Sequence, residues 1–241
     1  MRREMIEHAE SDMQPIVRMQ QVVKTYRQGK VDVHAVNNVS LAIKHGDFAV
    51  LCGPSGSGKT SILNLIGGLD VPNSGRIWVD GVDLSTLDSS ALSQVRKNRI
   101  GFVFQAYNLI PVMTAYENAE FVLNLQGVSE AACRERVMAT LAAVGLEGLE
   151  HRRPDEMSGG QQQRVAIARA IVTNPAIVLA DEPTANVDSH TAELLLDLMQ
   201  QLNRDQGITF LFSTHDQHVM DRAKRTIRLH DGKIESDEVS G

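Results

Sequence analysis

Three short apolar runs punctuate the chain, and each ends where small or polar residues take over. Phe48-Ala49-Val50-Leu51-Cys52 stops at a glycine-rich turn, Ile177-Val178-Leu179-Ala180 at two acidic residues, and Ile208 to Phe212 at Ser213-Thr214-His215. Buried strands of a parallel sheet read in this way, with polar residues gathered at their carboxyl ends. Beyond the glycine-rich turn, Ser61 to Leu69 carries Leu63, Leu65 and Ile66 in helix-compatible positions, which predicts strand, loop, helix. Between Ala106 and Met157 the texture turns helical, with Cys133, Val137, Leu141 and Val144 recurring at intervals of three or four. That pattern predicts a helical subdomain inserted over 106–157 in a single domain spanning 17–241. Val17 to Tyr26 and Val33 to Ile43 alternate loosely and predict a small antiparallel layer beside the main sheet.

Composition narrows the function classes. At 42% hydrophobic and 22% charged residues the chain of 241 has the balance of a folded domain. A formal net charge of −6 lacks the basic excess of a general nucleic-acid binder, so no nucleic-acid partner is expected. The two cysteines, Cys52 and Cys133, have no metal-binding spacing and fit a reducing compartment. Residues 1–16 mix charges with scattered apolar residues and read as a flexible leader, without the apolar stretch of a secretory signal. Apolar runs such as Ala176 to Ala180 fall far short of the roughly 18 residues of a membrane span. Work at a membrane would require a partner.

The glycine-rich turn carries the first chemistry. Gly53-Pro54-Ser55-Gly56-Ser57-Gly58-Lys59-Thr60 fits G-x-x-x-x-G-K-[ST] between a strand and a helix. Its glycines let backbone N–H groups converge on phosphate oxygens, the following helix adds its positive dipole end, Lys59 can reach the β and γ phosphates, and Thr60 can ligate Mg²⁺. Ser61 extends the cradle. Asp181 and Glu182, at the end of a buried strand, divide into a Mg²⁺ ligand and a general base that polarises a water in line with the γ-phosphate. His215 can hydrogen-bond that phosphate, although the chain has eight histidines and most single ones are structural or solvated. Gln105, closing the strand Gly101 to Phe104, is either a polar strand terminus or an amide aimed at Mg²⁺ or the attacking water.

Met157-Ser158-Gly159-Gly160-Gln161, running into a helix through Ala170, resembles the signature of the ABC (ATP-binding cassette) ATPases, LSGGQ, with Met for Leu. Ser158 and Gln161 also fit a capping box, and a capped, glycine-opened helix start is itself an anion site. The resemblance covers roughly Val17 to Ile234 and implies a P-loop NTPase fold, an α/β RecA-like core with a mostly parallel sheet. It further implies Tyr26 stacked on adenine, Gln105 as the Q-loop glutamine, Ala185 to Asp188 as the D-loop and His215 as the switch histidine. In the family two cassettes pack head to tail, so Ser158, Gly159, Gly160 and Gln161 of one would meet the ATP and Mg²⁺ held by the other. With one copy of each motif, this chain would form a dimer with two shared sites.

Leu65 to Asp70, Ile100 to Gln105 and Ser158 to Ala170 are similar to the cassettes of the lipoprotein-release, macrolide-export and cell-division group. That likeness implies an integral membrane permease as partner and a peripheral position on the cytoplasmic face of the inner membrane. The rival is a soluble ABC ATPase of DNA repair, chromosome structure or translation. Such proteins carry long coiled-coil insertions or two cassettes, and this sequence has neither.

Overall fold

A computed structural model of the chain describes residues 14–29 and 31–239. Of the leader expected over 1–16, residues 1–13 lie outside the described residues. Ile16 is buried and its carbonyl accepts the Asp80 N–H at 2.7 Å.

The strands are β1 (Val17–Gln28), β2 (Val31–Ile43), β3 (Phe48–Cys52), β4 (Ser74–Val79), β5 (Val82–Asp83), β6 (Ile100–Phe104), β7 (Ile177–Asp181), β8 (Phe210–Ser213), β9 (Arg225–His230) and β10 (Lys233–Val239). The helices are α1 (Lys59–Ile66), α2 (Ser89–Arg99), α3 (Ala115–Gln126), α4 (Glu130–Ala143), α5 (Gly159–Ile171), α6 (Ser189–Gln206) and α7 (Gln217–Arg222). The main sheet has the order β10-β9-β3-β8-β7-β6, parallel except for β10, and a second, antiparallel sheet has the order β2-β1-β4-β5.

Both faces of the main sheet are covered, which is why its central strands do not alternate. Phe48, Val50 and Cys52 of β3 face one core with Val178, Phe210 and Phe212, against α5, α6 and the α3–α4 pair. Ala49 and Leu51 face a second core with Ile62, Leu65 and Ile66 of α1 and the inner face of the antiparallel sheet. In that outer sheet the strands do alternate: Val17 and Met19 point inward, while the guanidinium of Arg18 lies 4.0 Å from the ring centre of Trp78. In α4, Cys133, Val137 and Leu141 are fully buried.

Two elements begin or end elsewhere than the pattern predicts. The helix expected to reach Leu69 starts near Lys59 as expected, after the left-handed Gly58, but stops at Ile66, because the left-handed Gly68 prevents continuation. The strand expected from Ile208 begins at Phe210, because α6 ends on the left-handed Gly207 and the Ile208 carbonyl accepts from Asn203 Nδ2 at 2.7 Å.

Arg225 ties the two sheets together. Its guanidinium donates to both Asp237 oxygens (2.8 and 2.7 Å), to Asp47 at 3.2 Å and to the Ala42 carbonyl at 2.7 Å. Those Arg225 bonds hold the Asp237 carboxyl below the usual range, against a smaller opposing effect of burial. A depressed folded-state pKa gives stability that is complete above the unfolded value, about 3.9, and is lost as pH falls through the folded value. Asp237→Asn is therefore expected to lower stability at pH 7, with the gap to wild type closing below about pH 4. Denaturant melts across that range check it.

Candidate functional site

Strand register builds the site. Leu51 pairs with Ser213, Ser213 with Asp181, and Asp181 with Phe104, so four parallel strands end on one row. The residues just beyond that row are Gly53, His215, Glu182 and Gln105. A cleft of about 670 Å³ opens there, lined by Pro54, Ser55, Gly56, Gly58, Lys59, Thr60, Ser61, Gln105, Glu182 and His215, with Tyr26 of β1 at one side.

Gly58 sets the turn into α1. It has a φ of 104°, and a Cβ there would lie 2.2 Å from the Ala35 carbonyl oxygen, so neither the backbone angle nor the space admits a side chain. The loop is braced from outside, with the Ser57 carbonyl accepting from Gly232 N–H at 3.1 Å. Lys59 folds back over the cradle, its ammonium donating to the carbonyls of Gly53 (2.8 Å) and Pro54 (3.0 Å). An anion in the cradle would compete for that charge.

Next to the cradle, the Thr60 hydroxyl lies 3.4 Å from each Asp181 oxygen. Burial raises the Asp181 carboxyl above the usual range, opposed by nearby hydroxyls. A hydroxyl beside a carboxylate, with the Gln105 amide across the cleft, is a hard-oxygen donor set. Among the described residues no group of three or more His, Cys, Asp or Glu could hold a metal. A single carboxylate beside a hydroxyl fits Mg²⁺, which binds through one or two carboxylates together with substrate phosphates and water.

Glu182 is gripped on both oxygens. Thr214 Oγ1 donates to Oε2 at 2.9 Å, and His215 Nδ1 lies 2.6 Å from Oε1. Glu182 also occupies the left-handed region at φ 47°, a conformation uncommon for a side-chain-bearing residue and held here by its N–H bond to the Ser213 carbonyl at 2.8 Å. His215, assigned from sequence to the γ-phosphate, is thus partnered with Glu182 while both line the cleft.

Gln105 leads into a turn with two consecutive left-handed residues, Tyr107 (φ 57°) and Asn108 (φ 52°). The turn is clamped by Arg169 of α5, which donates to both their carbonyls (2.9 and 2.6 Å). Asn186 donates to the Gln105 carbonyl at 2.9 Å, and its own carbonyl accepts from the Tyr107 hydroxyl at 2.9 Å. Arg169, Asn186 and Thr214 carry no local sequence signal for these roles, because their partners are distant in the chain.

Ser158, Gly159, Gly160 and Gln161 do not line the cleft. They open α5 through the expected capping box: Gln161 N–H donates to Ser158 Oγ at 3.3 Å and Ser158 N–H to Gln161 Oε1 at 2.9 Å. A Cβ on Gly159 would come within 2.8 Å of the Tyr107 hydroxyl.

A family model described as ABC transporter matches residues 36–185. The chain is 43% identical over 227 residues to an uncharacterised ABC transporter ATP-binding protein of Methanocaldococcus jannaschii, MJ0796, covering 92% of this chain and 97% of that one. It is 45% identical over 230 residues to the lipoprotein-releasing system ATP-binding protein LolD of Anaeromyxobacter dehalogenans, covering 95% and 96%. With the macrolide export ATP-binding/permease protein MacB of Syntrophobacter fumaroxidans it shares 45% identity over 222 residues, 91% of this chain but 31% of that protein. Among solved structures, a dimeric post-hydrolysis state of MJ0796 bound to ADP and Pi matches with a TM-score of 0.84 at 43% identity, covering 92% of this chain and 98% of that one.

Gly58→Ala should weaken tripolyphosphate binding by at least about tenfold, since the left-handed backbone alone costs on the order of 1–2 kcal/mol before the clash with Ala35. Titration calorimetry measures it, and wild-type affinity would contradict this account of the cradle.

Proposed function

This chain belongs to the ABC transporter family, and on that premise we propose that it binds Mg-ATP above Gly53 to Thr60, hydrolyses it within a dimer of cassettes and so drives a separate membrane permease. The observation that carries the reading is the shared row of strand ends, which brings the phosphate cradle, Glu182, Gln105 and His215 into one cleft, with Asp181 behind it against the Thr60 hydroxyl.

In this reading Tyr26 stacks on the adenine, the cradle N–H groups hold the phosphates, and Lys59 leaves its backbone carbonyls for the β and γ phosphates. Thr60, Asp181 and Gln105 would hold Mg²⁺, which would neutralise phosphate charge there. Glu182 accepts the proton of the attacking water on a carboxylate oriented by Thr214 and His215. Ser158 to Gln161, capped and outside the lining of their own cleft, serve the cleft of a second copy. The dimeric state of the MJ0796 cassette supports that pairing.

Among the described residues no helix is long and apolar enough to cross a membrane. Coupling to a permease is assigned to the face near Gln105 and Tyr107 to Met113. An apolar groove of about 480 Å³ lies there, lined by Leu69, Phe102, Phe104, Ile110, Phe121 and Leu125 among others, with Asn108 of the turn and its clamp Arg169 in its wall. A permease segment seated in that groove, at the cytoplasmic face of the membrane, would touch the turn that carries Gln105. Identity with LolD and MacB supports a permease of the lipoprotein-release and macrolide-export group.

Binding and chemistry should separate by mutation. Lys59→Ala removes charge-assisted contacts worth on the order of 1.5–3 kcal/mol each, so ATP affinity falls about tenfold or more. Glu182→Gln keeps shape but removes the base and slows hydrolysis roughly 10²–10⁴-fold, with accumulation of an ATP-bound dimer. Nucleotide titration, phosphate release and light scattering read these, and wild-type turnover in Glu182→Gln would remove Glu182 from the base role. A photocrosslinker at Leu125 should capture an integral membrane protein in native membranes. Capture of soluble proteins alone would count against the groove.

A further inference from the structure

We infer that Asp70 is a positioning residue for the nucleotide base: it fixes the Tyr26 ring from the far end of the helix whose start holds the phosphates. The inference rests on the reading of Tyr26 as the residue that stacks on the base.

Tyr26 sits near the end of β1 at the side of the cleft, and a phenol ring there has rotamers to lose. A stacking platform that must be ordered on binding gives back part of its gain as entropy. Here the ring is already anchored, because its hydroxyl donates to Asp70 Oδ2 at 2.8 Å. The anchor is itself held. Asp70 Oδ1 accepts from Lys24 Nζ at 2.6 Å and from the Val71 N–H at 2.7 Å, and Lys24 donates again to the Val71 carbonyl at 2.8 Å. Burial would push the Asp70 carboxyl up, yet the bonds from Lys24, Tyr26 and Val71 together hold it below the usual range, so the acceptor stays ionised.

Lys24 does a second thing. Its ammonium lies 5.0 Å from the centre of the Tyr26 ring, and the residue is only 9% exposed. One face of the ring is therefore taken by a cation, and a base can use only the other. Asp70 follows α1 through Gly67 and Gly68, with its N–H directed to the Asn64 carbonyl at 3.3 Å. Lys59 and Thr60 at the start of α1 and Asp70 just past its end thus belong to one continuous segment, with Leu69 and Asp70 both tied back to the Asn64 carbonyl. That element spans from the phosphate site to the base platform, so it favours ligands that carry a base at the matching distance from their phosphates.

The test compares ATP with tripolyphosphate, which has the charge but no base, by calorimetry on wild type, Asp70→Asn, Tyr26→Phe, their double mutant and Tyr26→Ala. Asp70→Asn and Tyr26→Phe should each weaken ATP roughly three- to tenfold while tripolyphosphate affinity holds. The double mutant should be no worse than Tyr26→Phe alone, since that single already deletes the bond to residue 70. If ATP and tripolyphosphate weaken together, Asp70 acts only on the fold and the inference is overturned. It is also overturned if neither single mutant changes the ratio of the two affinities while Tyr26→Ala does. An unchanged ratio in Tyr26→Ala removes the stacking reading itself. Should Asp70→Asn fail to fold, Tyr26→Phe decides alone, because it deletes only the hydroxyl.

Discussion

Everything at the site depends on the in-register pairing of four parallel strands. With β3, β8, β7 and β6 aligned through Leu51, Ser213, Asp181 and Phe104, residues from four remote parts of the chain leave the sheet at one level. Side chains alternate faces with a period of two, so a slip of one residue in β7 would exchange Val178 and Ala180 with Ile177 and Leu179 between the two cores. It would also shift Asp181 away from Thr60. Burial on both faces makes such a slip expensive, and the catalytic geometry inherits its precision from hydrophobic packing.

The polar groups set on that edge are held in costly states. Asp181 is pushed toward its neutral form by burial, Glu182 and the Tyr107-Asn108 turn sit in the left-handed region, and the Lys59 ammonium donates to carbonyls of its own loop. Two of these are stabilised by neighbours from another element: Thr214 and His215 for Glu182, Arg169 for the turn. Strain held by surrounding structure at a cleft is a pattern of functional sites. In the proposed reading, nucleotide and Mg²⁺ provide the ligands these groups lack, which links occupancy of the cleft to the turn carrying Gln105 and from there to the apolar groove.

The parts legible in the sequence are those whose chemistry is contiguous. Gly53 to Thr60 spell a cradle because the loop, the helix start and the lysine follow one another, and Ser158 with Gln161 spell a cap for the same reason. Cys133, Val137 and Leu141 disclosed α4 by their spacing alone. The supporting bonds were not legible, because they join residues far apart: Tyr26 and Asp70 are 44 apart, Arg169 and Asn108 are 61 apart, and Asn186 and Gln105 are 81 apart. No local period encodes such contacts. The end of α1 and the start of β8 differ from the pattern by three and two residues, where left-handed glycines and a side-chain bond to a carbonyl override propensity.

The central claim is that each working site is made from two chains, a cradle from one and the Ser158 to Gln161 helix start from the other. The most direct measurement mixes two variants, Lys59→Ala and Ser158→Arg, and follows phosphate release from ATP. Each alone spoils both sites of its own dimer, whereas a mixed dimer retains one site with an intact cradle and an intact helix start. The account predicts little hydrolysis by either variant and clear recovery on mixing. Absence of recovery at every mixing ratio, with mixed dimers present, would contradict it.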